Sequence, residues 1–502
     1  MDLPIFASTV DRQRIPAHLK GGLLLAVLMA ILLVAIGCAG RIAGGPDLDG
    51  LYSALAAEET PFRNPVVVIP GIVGSRLESR KDGSVAWGDF GLGQADPNSP
   101  DGARSIALPM ARGVPLRALT DDIQPSGALD QVRFNFLGYP FQLNTYAQIL
   151  SALGVGGYRD EQWGTSGRVD YGNDHFTCFQ FDFDWRRDII ESAGALHRFL
   201  EEKRRYVQIE IQKRHGMVDY PVRFDIVAHS MGGLVARYYL RYGAKDLPEN
   251  GSLPAVTWEG ARWVDTLVMV APPNGGSLEA LHHLVYGLKP ALLLPRYRPS
   301  VIGTMPSVYQ LLPRPRHRPL LDTKGVPVDT LYDSALWIEN GWGLADPKET
   351  DMLGHLLPSE TDAGQRRAIA IEHLEKSLER ARLFAAAMDQ PALPPARLQL
   401  LLVAGDAVDT KARLQIRTNG GLKTVAMGPG DGTVLRRSAL LDQREEHHAG
   451  ERLYSPVRWS QVLFLFSDHL DLTRDPAFTD NLLYFLLEHP RRPSGPQEDT
   501  VP

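Results

Sequence analysis

The sequence has little cysteine: Cys38 and Cys178 are the two among 502 residues. They can close one bridge at most, so this is no disulfide scaffold. Metal-binding spacings of the HExxH or CxxC type are missing, and so are the glycine-rich fingerprints of phosphate loops and dinucleotide sites. No metal and no cofactor is therefore expected. A large charge of one sign is missing too. The net charge of −6 is small for this length and gives no hint of nucleic-acid binding. No internal repeat is present, and nothing in the sequence names a protein partner. What is there is a globular composition, 44% hydrophobic and 22% charged. Its 47 glycines and 37 prolines fit a loop-rich enzyme better than a helical bundle.

The first forty residues differ from the rest. Arg12, Arg14 and Lys20 precede an uncharged run from Gly21 to Gly40, in the order of a secretory signal. The run ends in Ala35-Ile36-Gly37-Cys38, similar to a bacterial lipobox, in which Cys38 would be lipidated after cleavage. Ala35 departs from that pattern, where leucine is usual. The alternative is an uncleaved anchor, since about 20 apolar residues span a bilayer. Both readings put the folded part outside the cytoplasm and at a membrane surface. If Cys38 is lipidated, Cys178 is left without a partner.

Residues 39 to about 60 read as a tether and 491–502 as a disordered tail, with one catalytic domain over 61–490. Pro65–Ile69 is a short β-branched run without a polar residue, the signature of a strand buried on both faces of a parallel sheet. Similar runs recur at Phe179–Phe183, Val222–Val227, Thr266–Val270, Leu398–Val403 and Val462–Phe466. Helical patterns lie between them. Tyr146, Ile149, Leu150 and Leu153 fall at i, i+3, i+4 and i+7, and Ile189–His215 and Met231–Tyr242 are amphipathic. The alternation predicts an α/β fold with a mostly parallel sheet flanked by helices. Two stretches interrupt it: about 79–139, rich in Gly, Pro and Asp, and about 281–395, with a helix over Ala363–Asp389. Insertions this long are expected as a lid and a cap, or as surface elaboration.

Phe224–Leu234 reads as buried strand, sharp turn and helix, with Ser230 at the apex and small Ala228 and Gly232 two residues to either side. This is the α/β-hydrolase nucleophile elbow, with alanine for its usual first glycine. A serine nucleophile needs a base oriented by an acid, and in this fold they follow in the order serine, acid, histidine. Asp431, in Gly430-Asp431-Gly432-Thr433-Val434, and His469, directly after the Val462–Phe466 run, satisfy that order. Asp406 is a rival acid, just beyond the Leu398–Val403 run. His447 and His448 lie in a charged loop that reads as surface, and Asp468 and Ser467 read as caps of the next helix. The N–H of Met231, after the serine, and that of Ile72, in the Pro70–Gly74 loop, are the expected oxyanion donors.

Taken together these segments resemble the lecithin:cholesterol acyltransferase family, which includes lysosomal phospholipases. VVVIPGIVGSRLE is similar to its opening strand and oxyanion loop, Phe181–Arg186 to its Tyr-Asp-Trp-Arg segment, and AHSMGG to its elbow. Ala271–Ser277, Met305–Pro313, GDGTV and the pair His469-Leu470 extend the likeness over about Val66–Leu470. The cysteines of the animal enzymes' disulfide-held lid are absent; Trp87 lies in that region, either in contact with lipid or buried structurally. The resemblance implies an acyl-transferring lipid enzyme. A general extracytoplasmic carboxylesterase and an inactive lipid-binding lipoprotein are the alternatives.

Overall fold

The computed structural model describes residues 52, 54–90, 96–128, 132–136, 139–143, 146–164, 175–248, 250–289, 295–442 and 454–489. The leader with Cys38, the loop with His447 and His448, and the tail from 491 lie outside the described residues. Among the described residues, no helix is long and apolar enough to cross a membrane.

Six short apolar runs pair into one sheet: β1 (Val66–Ile69), β2 (Cys178–Gln180), β3 (Phe224–His229), β4 (Val264–Val270), β5 (Gln399–Gly405) and β6 (Gln461–Leu465). The order is β6-β5-β4-β3-β1-β2, and each neighbouring pair is parallel. Every run expected to be a strand is one, with ends displaced by a few residues. Side-chain parity explains why these runs carry no polar alternation. Val67, Ile69, Ile226, Ala228, Leu267 and Met269 enter one core, whereas Val66, Val68, Val227, Val268 and Val270 enter another. Both faces are covered, so both parities must be apolar.

Helix α1 (Ala147–Val155) packs on the second core, where Tyr146, Ile149, Leu150 and Leu153 are all buried. Helices α2 (Ile189–His215) and α3 (Met231–Tyr242) pack on the first. The α2 boundaries follow from its caps. Asp188 accepts from the Ile190 N–H at the start, and Gly216 takes the left-handed conformation at the end. After β2 the chain passes back across β1 to place β3 on its other side. The loops after β1 and β3 therefore meet at a topological switch point, where sheets of this kind hold ligands.

The stretch after Ser79 is more ordered than its weak periodicity suggests. Ser75–Ser79, Val85–Trp87 and Ile123–Ala128 form a small sheet, with a helix at Pro100–Ile106. Strands this short leave no readable pattern. The insertion is tied to the Phe181–Arg186 segment by the buried Arg186 guanidinium, which binds Asp184 at 2.7 Å, Asp121 at 2.9 Å and the Ile106 carbonyl at 3.1 Å. Trp87 is buried, donates to the Val73 carbonyl at 2.9 Å and lies edge-on to Trp185, so its role is structural.

Helix α4 (Leu278–Tyr286) runs through Leu281, so the larger insertion departs later than expected, after Tyr286. Helix α5 (Ala363–Asp389) has the expected ends. The Met305–Pro313 segment is pinned to the loop before α2: the Ser307 hydroxyl donates to the Trp185 carbonyl at 2.6 Å, and Gln310 accepts from the Ile189 N–H at 2.8 Å. Gly276 has φ +81°, and a Cβ there would stand 2.1 Å from the Leu312 carbonyl oxygen. Only glycine fits that turn. Part of the expected tether is also packed. Tyr52 is buried with its hydroxyl on Asp480, and Glu59 pairs with Arg214 at 2.9 Å.

Burial pushes His175, His283, His317 and His373 down to about 4, and His229 down to about 3. These imidazoles are neutral in the fold, whereas in the unfolded chain each takes a proton below about pH 6.5. The unfolded state then binds more protons, so stability is full above about pH 6.5 and is lost as pH falls towards 4. Urea midpoints measured from pH about 7 down to about 5 should fall steadily. A flat profile would contradict the burial of these side chains.

Candidate active site

The chain turns sharply at the end of β3, and Ser230 sits at the turn with φ 52° and ψ −124°. A non-glycine residue in this region is strained, and such strain clusters at functional sites. The turn is held by the Ser230 N–H, which donates to the Val270 carbonyl of β4 at 2.8 Å. It is also wedged against the loop after β1. A Cβ added at Gly232 would lie 2.3 Å from the Pro70 carbonyl oxygen. The small residue expected two positions after the serine is thus required by backbone contact. Ser230 is 6% exposed, at the N-terminus of α3, whose dipole favours negative charge there.

The structure brings the three expected side chains into one hydrogen-bonded chain. His469 Nε2 lies 3.0 Å from Ser230 Oγ, and His469 Nδ1 lies 2.8 Å from Asp431 Oδ2. Asp431 is held from two further sides. Its Oδ1 accepts from the N–H groups of Thr433 at 2.9 Å and Val434 at 2.7 Å. Its carbonyl accepts from the His469 N–H at 2.9 Å, which docks the two loops together. The Asp431 carboxylate, already accepting from two backbone N–H groups, can only accept, so the tautomer that pairs with it carries its proton on Nδ1 and offers Nε2 as the acceptor towards Ser230.

Asp406 is placed differently: its carboxylate receives Arg436 at 3.0 Å, and Asp431, not Asp406, faces His469. Asp468 accepts from the Leu470 and Asp471 N–H groups and so opens the following turn of helix, as expected. Ser467 does not cap that turn; its hydroxyl donates at 3.4 Å to Asp475, which caps the helix Pro476–Leu483. The loop carrying Ile72 lies over the elbow, with Gly71 packed so closely that an added Cβ would stand 2.9 Å from Ser230 Cβ. Met231 opens α3 directly after the serine.

Two residues at the site have no part in the sequence pattern for chemistry. Tyr146 counts there only as one of the apolar-face positions of α1, and His229 only as the residue before the serine. Both are buried, and His229 lies beside the His469 ring with centroids 5.0 Å apart. A histidine adjoining the nucleophile is the signal that points to it. As for metals, Glu279, His282 and His283 bring ligand atoms within 4.8 Å of one another. Lys411 pairs with Glu279 at 2.6 Å, so an ammonium already neutralises that carboxylate.

An open parallel sheet with helices on both faces, a strained serine turn after its central strand and insertions around it is the α/β-hydrolase architecture. Within it, residues 168–347 match the lecithin:cholesterol acyltransferase family model, which bears out the resemblance over that span. The matched span holds Phe181–Arg186, the elbow, Ala271–Ser277 and Met305–Pro313; Asp431 and His469 lie beyond it. No curated protein sequence matches the chain. Among solved structures, a chain of the Tle4–Tli4 complex aligns with a TM-score of 0.50 at 16% identity, over 84% of this chain and 98% of that one. Lipase 1 from Pelosinus fermentans aligns at 0.29 and 14% identity, over 85% of this chain and 99% of its own. EstA from Clostridium botulinum aligns at 0.31 and 12% identity, over 86% and 90%. The first similarity speaks for the fold alone. Fold and family match together support an acyl hydrolase or esterase.

Asp431→Asn should lower the kcat for a short p-nitrophenyl ester by roughly 10³–10⁴-fold, because asparagine can neither fix the His469 tautomer nor stabilise the imidazolium. Asp406→Asn, which loosens only the contact with Arg436, should leave kcat nearly intact. The reverse ranking in a steady-state assay would contradict the geometry.

Proposed function

We propose that the protein is a serine-dependent lipid acyl hydrolase and O-acyltransferase. The observation that carries this reading is the continuous hydrogen-bonded chain from Ser230 through His469 to Asp431 at a strained elbow. Ser230 Oγ attacks the ester carbonyl of a glycerolipid while His469 Nε2 takes its proton. The N–H groups of Ile72 and Met231 receive the developing oxyanion. The bond to the glycerol oxygen then breaks, and His469 returns the proton to that leaving oxygen. Water or an alcohol attacks the acyl-serine in turn, His469 takes its proton, and Ser230 regains it on release.

A lipid substrate is favoured by the family match and by the surface beside the base. Close to His469 in the chain, Phe466 is 82% exposed and Leu470 is 42% exposed. Apolar side chains left in water at the rim of a site suit an acyl chain or a lipid surface. Membrane attachment through Cys38, or through an uncleaved leader helix, would bring that rim to its substrate. The protein would then work outside the cytoplasm. Transfer competes with hydrolysis only where the site holds the alcohol close and excludes water, and the insertion after α4 is the part of the chain large enough to do so.

The test supplies phospholipid labelled in its acyl chains in mixed micelles and follows free fatty acid against new ester as a long-chain alcohol is added. Wild-type protein should release fatty acid. Added alcohol should then lower free acid as ester rises, with total lysolipid set by the shared first step. Ser230→Ala should do neither. No new ester at any alcohol level would leave a hydrolase. Cleavage of small esters without attack on phospholipid would move the protein to the general carboxylesterases.

A further inference from the structure

The reaction steps above leave two buried polar side chains at the site unused, Tyr146 and His229. Their neighbours fix the direction of every hydrogen bond they make. The Tyr146 hydroxyl lies 2.9 Å from the Gly71 nitrogen. A backbone N–H can only donate, so the hydroxyl oxygen accepts there and its own hydrogen remains to be given. His229 Nδ1 stands 3.4 Å away, across an edge-on ring contact, and is the acceptor for that hydrogen. At the other side of the ring, His229 Nε2 lies 3.0 Å from the His469 carbonyl oxygen. A carbonyl can only accept, so Nε2 carries the proton. Donors and acceptors therefore run one way: Gly71 N–H to Tyr146, Tyr146 O–H to His229, His229 N–H to His469.

The two ends of this chain are informative. Gly71 adjoins Ile72 and packs against Ser230 Cβ. His469 is the residue whose ring faces Ser230 Oγ. Resting on the serine reading above, we propose that Tyr146 and His229 are positioning residues. Their buried hydrogen-bond chain ties the loop offering the Ile72 N–H to the loop carrying His469, and so holds oxyanion donor and base in one register around Ser230. The chain works only with a neutral His229. A second proton would sit on Nδ1 and take away the acceptor of the Tyr146 hydroxyl hydrogen. It would also place a charge beside the His469 ring, with Asp431 beyond it as the nearest counter-charge. Burial keeps that proton off, pushing His229 down to about 3, so the link stays intact while His469 gains and loses its own proton.

The experiment compares wild type with Tyr146→Phe, His229→Leu and His229→Gln on a short p-nitrophenyl ester across the pH range. Unfolding midpoints and Ser230-dependent labelling by a fluorophosphonate probe are measured in parallel. Misplacing a catalytic group by about 1 Å costs about 10²-fold. Tyr146→Phe and His229→Leu should therefore lower kcat roughly 10- to 100-fold with KM little changed. The acid limb of kcat/KM should move as well, because a loosened His469 loop alters the contact between the His469 ring and Asp431. His229→Gln should recover most of kcat, since an amide can accept from Tyr146 and donate to the His469 carbonyl. A residue that merely fills space would change the midpoint but not the acid limb. Tyr146→Phe removes one oxygen and keeps the ring, so it reports even if His229→Leu fails to fold. Unchanged kcat and acid limb in Tyr146→Phe, with probe labelling intact, would overturn the proposal. Absence of Ser230-dependent labelling in wild type would instead overturn the serine reading, and this one with it.

Discussion

The site depends on one close approach: the carbonyl of Pro70 lying where a side chain at position 232 would be. The missing side chain lets the loop after β1 settle onto the start of α3, where the chain leaves β3 through Ser230 at a positive φ. Holding a non-glycine residue there costs on the order of 1–3 kcal/mol. The surroundings supply that energy. β3 is buried along its whole length between β1 and β4, and the first residue of the turn is anchored to the Val270 carbonyl. A serine hydroxyl raised above a rigid sheet in this way is exposed to a base yet has little freedom to move.

The other groups arrive from distant parts of the chain and are fixed by backbone rather than by side-chain charge. Asp431 comes at the end of the hairpin formed by Val408–Ile416 and Leu422–Gly430, and its carboxylate is held by two backbone N–H groups. His469 follows β6, and its own N–H docks on the Asp431 carbonyl. The Ser277 hydroxyl, at the start of α4, donates to the Thr433 carbonyl and braces the same hairpin end from the cap side. Bonds to backbone groups order fewer long side chains than ion pairs do, so several loops can converge on one hydroxyl at modest entropic cost.

The sheet was legible because burial on both faces leaves unbroken apolar runs, and α2 and α3 because a long amphipathic period and good caps mark their ends. Ser230, Asp431 and His469 were legible because the elbow has a local signature and the later two follow strands in a fixed order. Tyr146 was not, and His229 was marked only by its place before the serine, since their partners are a distant backbone N–H, a distant backbone carbonyl and each other. No side-chain pattern announces such bonds. The small sheet around Ser75–Ser79 was hidden for another reason: strands of three to six residues with irregular register carry too little period to read. The packing of Tyr52 on Asp480 was hidden likewise, a single aromatic in a weakly patterned stretch.

The central claim is that Ser230 is the nucleophile of an acyl-enzyme, and a covalent adduct tests it most directly. Purified protein treated with a fluorophosphonate should gain the mass of one phosphonyl group, located by peptide mass spectrometry on Ser230. Ser230→Ala should gain none, and His469→Ala should react far more slowly, because the serine then lacks its base. An adduct on another residue, or undiminished labelling of Ser230→Ala, would contradict the account.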